Sequence, residues 1–264
     1  MKNNKILVSV NNLEDIKKYE EIGITNFLFA LEDFSVGYQA FSLNELINLD
    51  VNVYLNINII MDTKKIAEFN KIISKLTFIK GIFFEDVGLY YILRDTKIPL
   101  IWNQAHFVIN SLSINSWLER VESASLSNEL TLNEIKDILN KTNKPLIMPV
   151  YGLNMAMYSR RYLLTFFNKY HNLKLIKSGL LKVHNQDNTF YATENENGTA
   201  LFYNQPFNYI PYLNKINDQK ILFYLINHPQ LNFEMVNNLI NHQETISEEK
   251  FLKEKTIYKL EDKL

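Results

Sequence analysis

The chain of 264 residues contains no cysteine. That absence excludes disulfides, a thiolate nucleophile, and any cysteine-ligated zinc or iron–sulfur site formed by this chain alone. Long hydrophobic runs are missing too. The apolar stretch inside MKNNKILVSVNNLED is too short for a secretory leader, and no later run approaches the ~20 residues that span a bilayer. A cytoplasmic protein with no membrane partner is therefore expected. Charge of one sign is also lacking, since a formal net charge of −1 gives no global pull toward nucleic acid or anionic lipid. Neither a Gly-x-Ser-x-Gly elbow nor a recognised metal-ligand spacing nor an internal repeat occurs.

One local gap runs the other way. Between Asp137 and Asp187 there is no acidic residue, while Lys141, Lys144, Arg160, Arg161, Lys169, Lys174, Lys177 and Lys182 all fall inside. Arg160 and Arg161 are half of the four arginines in the chain, and the rigid guanidinium fork suits phosphate or carboxylate. Tyr158, Tyr162, Phe166, Phe167 and Tyr170 are interleaved with these cations. Such a stretch can track an RNA backbone and stack its bases. Recurrence of the aromatics at helical spacing equally fits a solvated basic helix whose rings are core.

What is abundant is apolar, at 47% of residues, enough to bury a sizeable core. Short β-branched or apolar runs at 5–10, 26–31, 51–60, 79–84, 99–102, 121–125, 145–150 and 220–225 read as strands. All but one are followed closely by a helical pattern, which predicts a parallel sheet with helices outside. The last unit is delayed. After a helix over 161–170 comes a mixed region, 172–212, in which 190–193 and 199–203 form a hairpin around a turn of five residues. The expected architecture is α/β: one TIM-like (β/α)8 barrel domain over 1–264, a small β-hairpin insertion before its last strand, and an amphipathic helical tail at 247–264.

In such a barrel the site is built where strands end. Asn58 closes the third strand, on the same face as Asn52, Tyr54 and Asn56. Glu85 and Asp86 close the fourth, and Asn103, Gln104 and His106 the fifth. Ser127 and Glu129 follow the sixth, and Tyr151 and Asn154 the seventh, ahead of Ser159, Arg160 and Arg161. Glu85, Asp86, Glu129 and His106 would share acid and base work or hold an oxygen-ligated divalent cation. In that form the site would hydrolyse an amide through an activated water. Capping of helices by the same carboxylates is the plainer role. Ser123, Ser125 and Ser127 offer a thinner case for a serine nucleophile. His171, His184, His228 and His242 have no ligand spacing and read as structural or surface groups, and Trp102 and Trp117 as packing.

The order of these motifs resembles the U32 family of collagenase-like peptidases and bacterial hydroxylation proteins, over residues 5–225. The resemblance rests on VYLNINI at 53–59, on Glu85, Asp86, Val87, Gly88 (similar to Gln-Asp-x-Gly), and on Asn103, Gln104 (similar to Thr-Gln). It rests most on Ser127, Asn128, Glu129, Leu130, similar to Ser-Arg-Glu-Leu, and on Tyr151, Gly152, similar to His-Gly. It implies a TIM-like barrel with its site at the strand ends, and Gln104 joins Glu85, Asp86, His106 and Glu129 as a catalytic candidate. For some members it also implies hydroxylation of a tRNA uridine, a ribosomal RNA base or a quinone precursor, using a four-cysteine iron–sulfur site. Here Met155 and Tyr162 stand where the first two of those cysteines would be, and the later pair has no counterpart. A thioether and a phenol do not replace two thiolates.

The leading expectation is a cluster-free U32-like barrel that binds RNA or a small anionic substrate at its rim, beside a cluster-bearing U32 paralogue that supplies the redox step. A peptidase-like hydrolase, metal-assisted or not, and a non-catalytic scaffold acting through 247–264 are the alternatives.

Overall fold

The computed structural model describes residues 2–174, 179–185 and 188–241. The expected tail helix at 247–264 lies outside them, as do Lys177 and His242. In chain order the elements are β1 (Ile6–Ser9), α1 (Ile16–Glu21), β2 (Asn26–Leu31), β3 (Ala40–Phe41), α2 (Leu43–Leu46), β4 (Asn52–Ile57), α3 (Thr63–Asn70) and β5 (Gly81–Phe84). Then come α4 (Val87–Leu93), β6 (Leu100–Trp102), α5 (Ser111–Leu118), β7 (Ser123–Ala124), α6 (Leu132–Lys141), β8 (Leu146–Gly152), β9 (Met155–Ser159) and α7 (Leu163–Tyr170). The last are β10 (Leu181–Asn185), β11 (Asn188–Asn195), β12 (Gly198–Tyr203), β13 (Phe207–Asn208), β14 (Ile221–Asn227) and α8 (Phe233–Ile240).

Side-chain caps fix where the helices begin. Asn110 accepts the Ser113 N–H at the start of α5, and Asn232 the Met235 N–H at the start of α8. Ser42 with Glu45, and Thr131 with Glu134, form reciprocal capping boxes on α2 and α6. Among the described residues no helix is long and apolar enough to cross a membrane.

Parallel pairings run unbroken from β8 through β14, β1, β2, β4, β5 and β6 to β7, with β3 added parallel to β2 and β13 antiparallel to β8. The resulting ten-stranded sheet curls, so that the residues after β7 approach β8. Ser125 bridges Ile147, and the Leu126 N–H reaches the Ile147 carbonyl at 2.8 Å. This is a mixed α/β fold with a curled, mainly parallel sheet, consistent with the TIM-like kind.

Both faces of the curled sheet are apolar, as expected of parallel strands covered on both sides. One parity of residues, including Val8, Phe29 and Leu55, packs against the helices. There Trp102 stacks on Trp117 with ring centroids 4.9 Å apart and planes at 25°. The opposite parity forms a separate cluster of Leu7, Leu28, Phe83, Ile101, Ile147 and Phe223. Toward the carboxyl ends this inner face turns polar: Asn56 and Asn58 follow Tyr54, Glu85 follows Phe83, Asn103 follows Ile101, and Asn227 follows Leu225. That switch positions the site.

The inserted region is larger than a hairpin. Strands β10, β11, β12 and β9 form a four-stranded antiparallel sheet, so Met155–Ser159, which carries no strand pattern, is its edge, and α7 begins only at Leu163. Pairing of Glu194 with Thr199 and of Asn195 with Gly198 shortens the expected five-residue turn to Glu196 and Asn197. Gly198 has φ +127°, and a Cβ there would lie 2.1 Å from the Ser159 carbonyl oxygen. Glycine alone lets the turn sit against β9.

Candidate functional site

The polar ends of the inner face open into a cavity of about 210 Å³. Asn56, Asn58, Glu85, Asn103, Ser125 and Asn227 contribute from the sheet, and Leu153, Met155, Met157 and Tyr158 from the end of β8 and from β9. Gln104, His106, Asn128, Glu129 and Asn154 complete it from the strand-end loops. The topology places β5, β6 and β7 side by side, which is why Glu85, His106 and Glu129 meet around one space.

Glu85 is the chemically distinctive group. Among the described residues no Lys or Arg lines the cavity, and burial pushes the Glu85 carboxyl up to about 8. The cavity gives it some solvent contact, but protein surrounds it beyond that contact. With its carboxyl near 8, Glu85 is predominantly a neutral acid at pH 7, able to donate a hydrogen bond. Burial also raises the Tyr38 phenol, and carries that of Tyr158 up to about 12, so both remain protonated.

The neighbouring amides divide into committed and uncommitted groups. Asn58 clamps the loop after β2, accepting the Val36 N–H and donating to the Val36 carbonyl, both at 2.9 Å. Gln104 donates to the Glu85 carbonyl at 2.8 Å, Asn128 donates to the Asn154 side chain, and Asn227 donates to the Tyr38 hydroxyl at 3.1 Å. The Oδ1 atoms of Asn56 and Asn227 are buried without a hydrogen-bond partner. The loop carrying Tyr38 is pinned from the second sheet, since Asn195 and Asn197 both donate to the Ser35 carbonyl.

Several predicted site residues lie elsewhere or are otherwise engaged. Asp86 is absent from the cavity lining; its carboxylate accepts the Gly88 N–H at 2.6 Å and the Met61 N–H at 2.7 Å, capping α4 and tying it to the loop after β4. Ser127 accepts the Glu129 N–H, and Ser123 donates to the Pro145 carbonyl. Tyr151 is buried and stacks on His228. Ser159 accepts the Arg161 N–H. Arg160 is ion-paired with Asp62 at 2.5 Å, and neither it nor Arg161 lines the cavity.

His106 stands 3.7 Å from Glu129 at the exposed mouth. Among the described residues no three His, Asp or Glu side chains cluster closely enough to hold a metal ion. Tyr38, Tyr158 and Asn227 are cavity residues that the strand-end reading omits. Asn227 could have been found, because it continues the inward parity of Phe223 and Leu225.

The model of peptidase family U32 matches residues 8–226. The chain belongs to the U32 peptidase family. A search of curated proteins finds no match. Among solved structures, this chain is similar to the crystal structure of the Bacillus megaterium QM B1551 spore cortex-lytic enzyme SleL, at 12% identity and a TM-score of 0.42, covering 92% of this chain and 74% of that one. A likeness that distant carries no argument about chemistry.

An iron–sulfur cluster of the kind the U32 resemblance implies does not fit the residues present. Met155 pairs with Phe202 in the β9–β12 ladder and lines the cavity. Tyr162 donates its hydroxyl to the Glu196 carbonyl at 3.0 Å. Neither is a soft anionic donor.

Proposed function

We propose that this U32 member binds single-stranded RNA on the face formed by β9 and α7, as a cytoplasmic, non-redox participant in RNA modification beside a cluster-bearing paralogue. The curled sheet is read as the family's eightfold barrel, with this face next to its mouth. The observation that carries the reading is α7, which buries none of its residues. Phe166, Phe167 and Tyr170 are 59%, 57% and 83% exposed, where helical spacing alone would put such rings in a core. Arg161, Lys169 and Lys174 are exposed around them. Aromatic planes beside cations are the elements of sequence-tolerant strand binding: rings stack bases while cations meet phosphates.

The test is fluorescence anisotropy of a labelled single-stranded RNA titrated with the full chain. Binding that weakens steeply with salt is expected. Phe166→Ala with Phe167→Ala should weaken it about tenfold or more, from stacking worth ~1–3 kcal/mol per base, with the melting temperature held. Wild-type protein that leaves the RNA free at low salt would sink the reading.

A second reading is amide hydrolysis, favoured by the joint presence of Glu85, Glu129 and His106 in one cavity. Water would add to the carbonyl carbon and lose its proton to Glu129, while Glu85 gives its proton to the departing nitrogen as the C–N bond breaks. A peptide library left intact by the purified protein would remove it.

A further inference from the structure

RNA lying along α7 makes no use of the cavity floor, where polar groups stand enclosed with no Lys or Arg among the described residues to answer them. Asn56 is 4% exposed, and its Oδ1 has no partner. The amide nitrogen of Asn227 is committed to Tyr38, which leaves its Oδ1 as a second buried acceptor. Asn58 and Gln104 are already satisfied. Among the groups left are two buried acceptors without a partner and one carboxyl group, walled by Pro149, Leu153, Met155 and Leu225. A buried acceptor without a donor is an incomplete arrangement, and the donor it calls for has an N–H or O–H.

We propose that the cavity takes a small uncharged ligand bearing an amide or imide, whose N–H donates to Asn56, with a second donor, where the ligand has one, reaching Asn227, and whose carbonyl oxygen meets Glu85. The neutral state of Glu85 fits this role, because a carboxylic acid donates to a carbonyl and a carboxylate repels it. Among the described residues no Lys or Arg lines this floor, so none of them neutralises an anion there. The expected small anionic substrate is thus replaced, for the cavity, by a neutral one. This inference stands independently of RNA binding on α7 and holds whether the cavity only binds or also cleaves.

The groups facing Glu85 are Tyr38 from the loop after β2 and Tyr158 from β9, with His106 and Glu129 at the mouth after β6 and β7. Both phenols are held protonated by burial, so loss of binding above about pH 8 reports Glu85.

Saturation-transfer NMR on the full chain tests this with glutarimide, a neutral cyclic imide, against glutarate, its open dianion. Glutarimide should bind below pH 8 and weaken at least about tenfold as Glu85 ionises above it, while glutarate gives no transfer. Glu85→Gln, which stays neutral and still donates, should bind glutarimide at both pH values, and Asn56→Leu should not bind it. If Asn56→Leu fails to fold, the pH pair on wild-type protein decides. The proposal is overturned if glutarate binds as well as glutarimide, if folded wild-type protein binds no glutarimide, or if its binding ignores pH. An Arg161→Ala protein that loses RNA and keeps glutarimide would separate the two sites.

Discussion

A Cβ placed on Gly152 would lie 2.0 Å from the carbonyl oxygen of Asn227. The two residues are register partners at the ends of β8 and β14, so this close approach sets how tightly the curled sheet draws in beside the cavity. It also gives the Tyr-Gly of the family-like motif a physical reason: the glycine is where backbone meets backbone. Gly152→Ala should force these strand ends apart, costing about 1–3 kcal/mol in denaturant unfolding. It should also break the hydrogen bond from Asn227 to Tyr38. An unchanged unfolding midpoint would show that the two strands have room to spare.

Glu85 gives a stability prediction that needs no substrate. Its pKa is raised from 4.5 to about 8 in the folded chain, so the folded state holds a proton that the unfolded state releases. Its contribution is fully present below about pH 4.5 and lost as pH rises through 8. The loss is at most about 5 kcal/mol, from ~1.4 kcal/mol for each of roughly 3.5 pH units, and water in the cavity will reduce it. Glu85→Gln cannot ionise, so it should match wild type near pH 4.5 and become progressively more stable than wild type toward pH 8. Denaturant titrations across that range would show parallel curves if the carboxyl were already solvated.

The sheet and the floor of the site were legible in the sequence because parallel strands carry their information locally. Alternation from Asn52 to Asn58 assigns both Asn56 and Asn58 to one face, and the rule that sites form at strand ends brings Glu85, Asn103 and Glu129 together without knowledge of contacts. What escaped was set by distant pairing. Strand β9 is half exposed and lacks alternation; it is a strand because β12, about forty residues later, pairs with it. Tyr38 sits in a loop held by Asn58, Asn195 and Asn197, a placement no periodicity encodes. Asp86 and Arg160 are the reverse case. Their residue types promised chemistry, but backbone N–H groups and Asp62 occupy them.

The exposed rings of α7 raise the question of what holds that helix down. Glu194 of β11 does so: its carboxylate accepts the Leu164 N–H at 2.8 Å, the Thr165 N–H at 3.1 Å, and the hydroxyls of Thr165 and Thr199 at 2.5 and 2.6 Å. An anion from another strand thus caps the helix start, and the aromatic rings stay exposed. Glu194→Ala should release α7 at a cost of about 1–3 kcal/mol and speed amide exchange at Leu164 and Thr165. Exchange rates equal to wild type would mean that α7 is anchored by something else.

His228 contributes to the acid limb of stability. Its ring lies 6.1 Å from that of Tyr151 with planes at 23°, and its Nδ1 accepts the Gln230 N–H at 3.0 Å, a bond available only to the unprotonated atom. Burial lowers its pKa from 6.5 to about 4. The unfolded chain therefore takes up a proton that the folded chain refuses, so this stabilisation is whole above about pH 6.5 and is lost as pH falls through 4. The span is roughly 2.5 pH units, or about 3 kcal/mol. His228→Phe keeps a flat ring against Tyr151 and should cost about 1 kcal/mol above pH 6.5 through the lost acceptor. Between pH 6.5 and 4 its stability should fall less steeply than that of wild type, because no imidazole remains to be protonated. Should the two slopes coincide in denaturant titrations, the acid sensitivity belongs to the carboxylates, and the His228 ring must already be open to water.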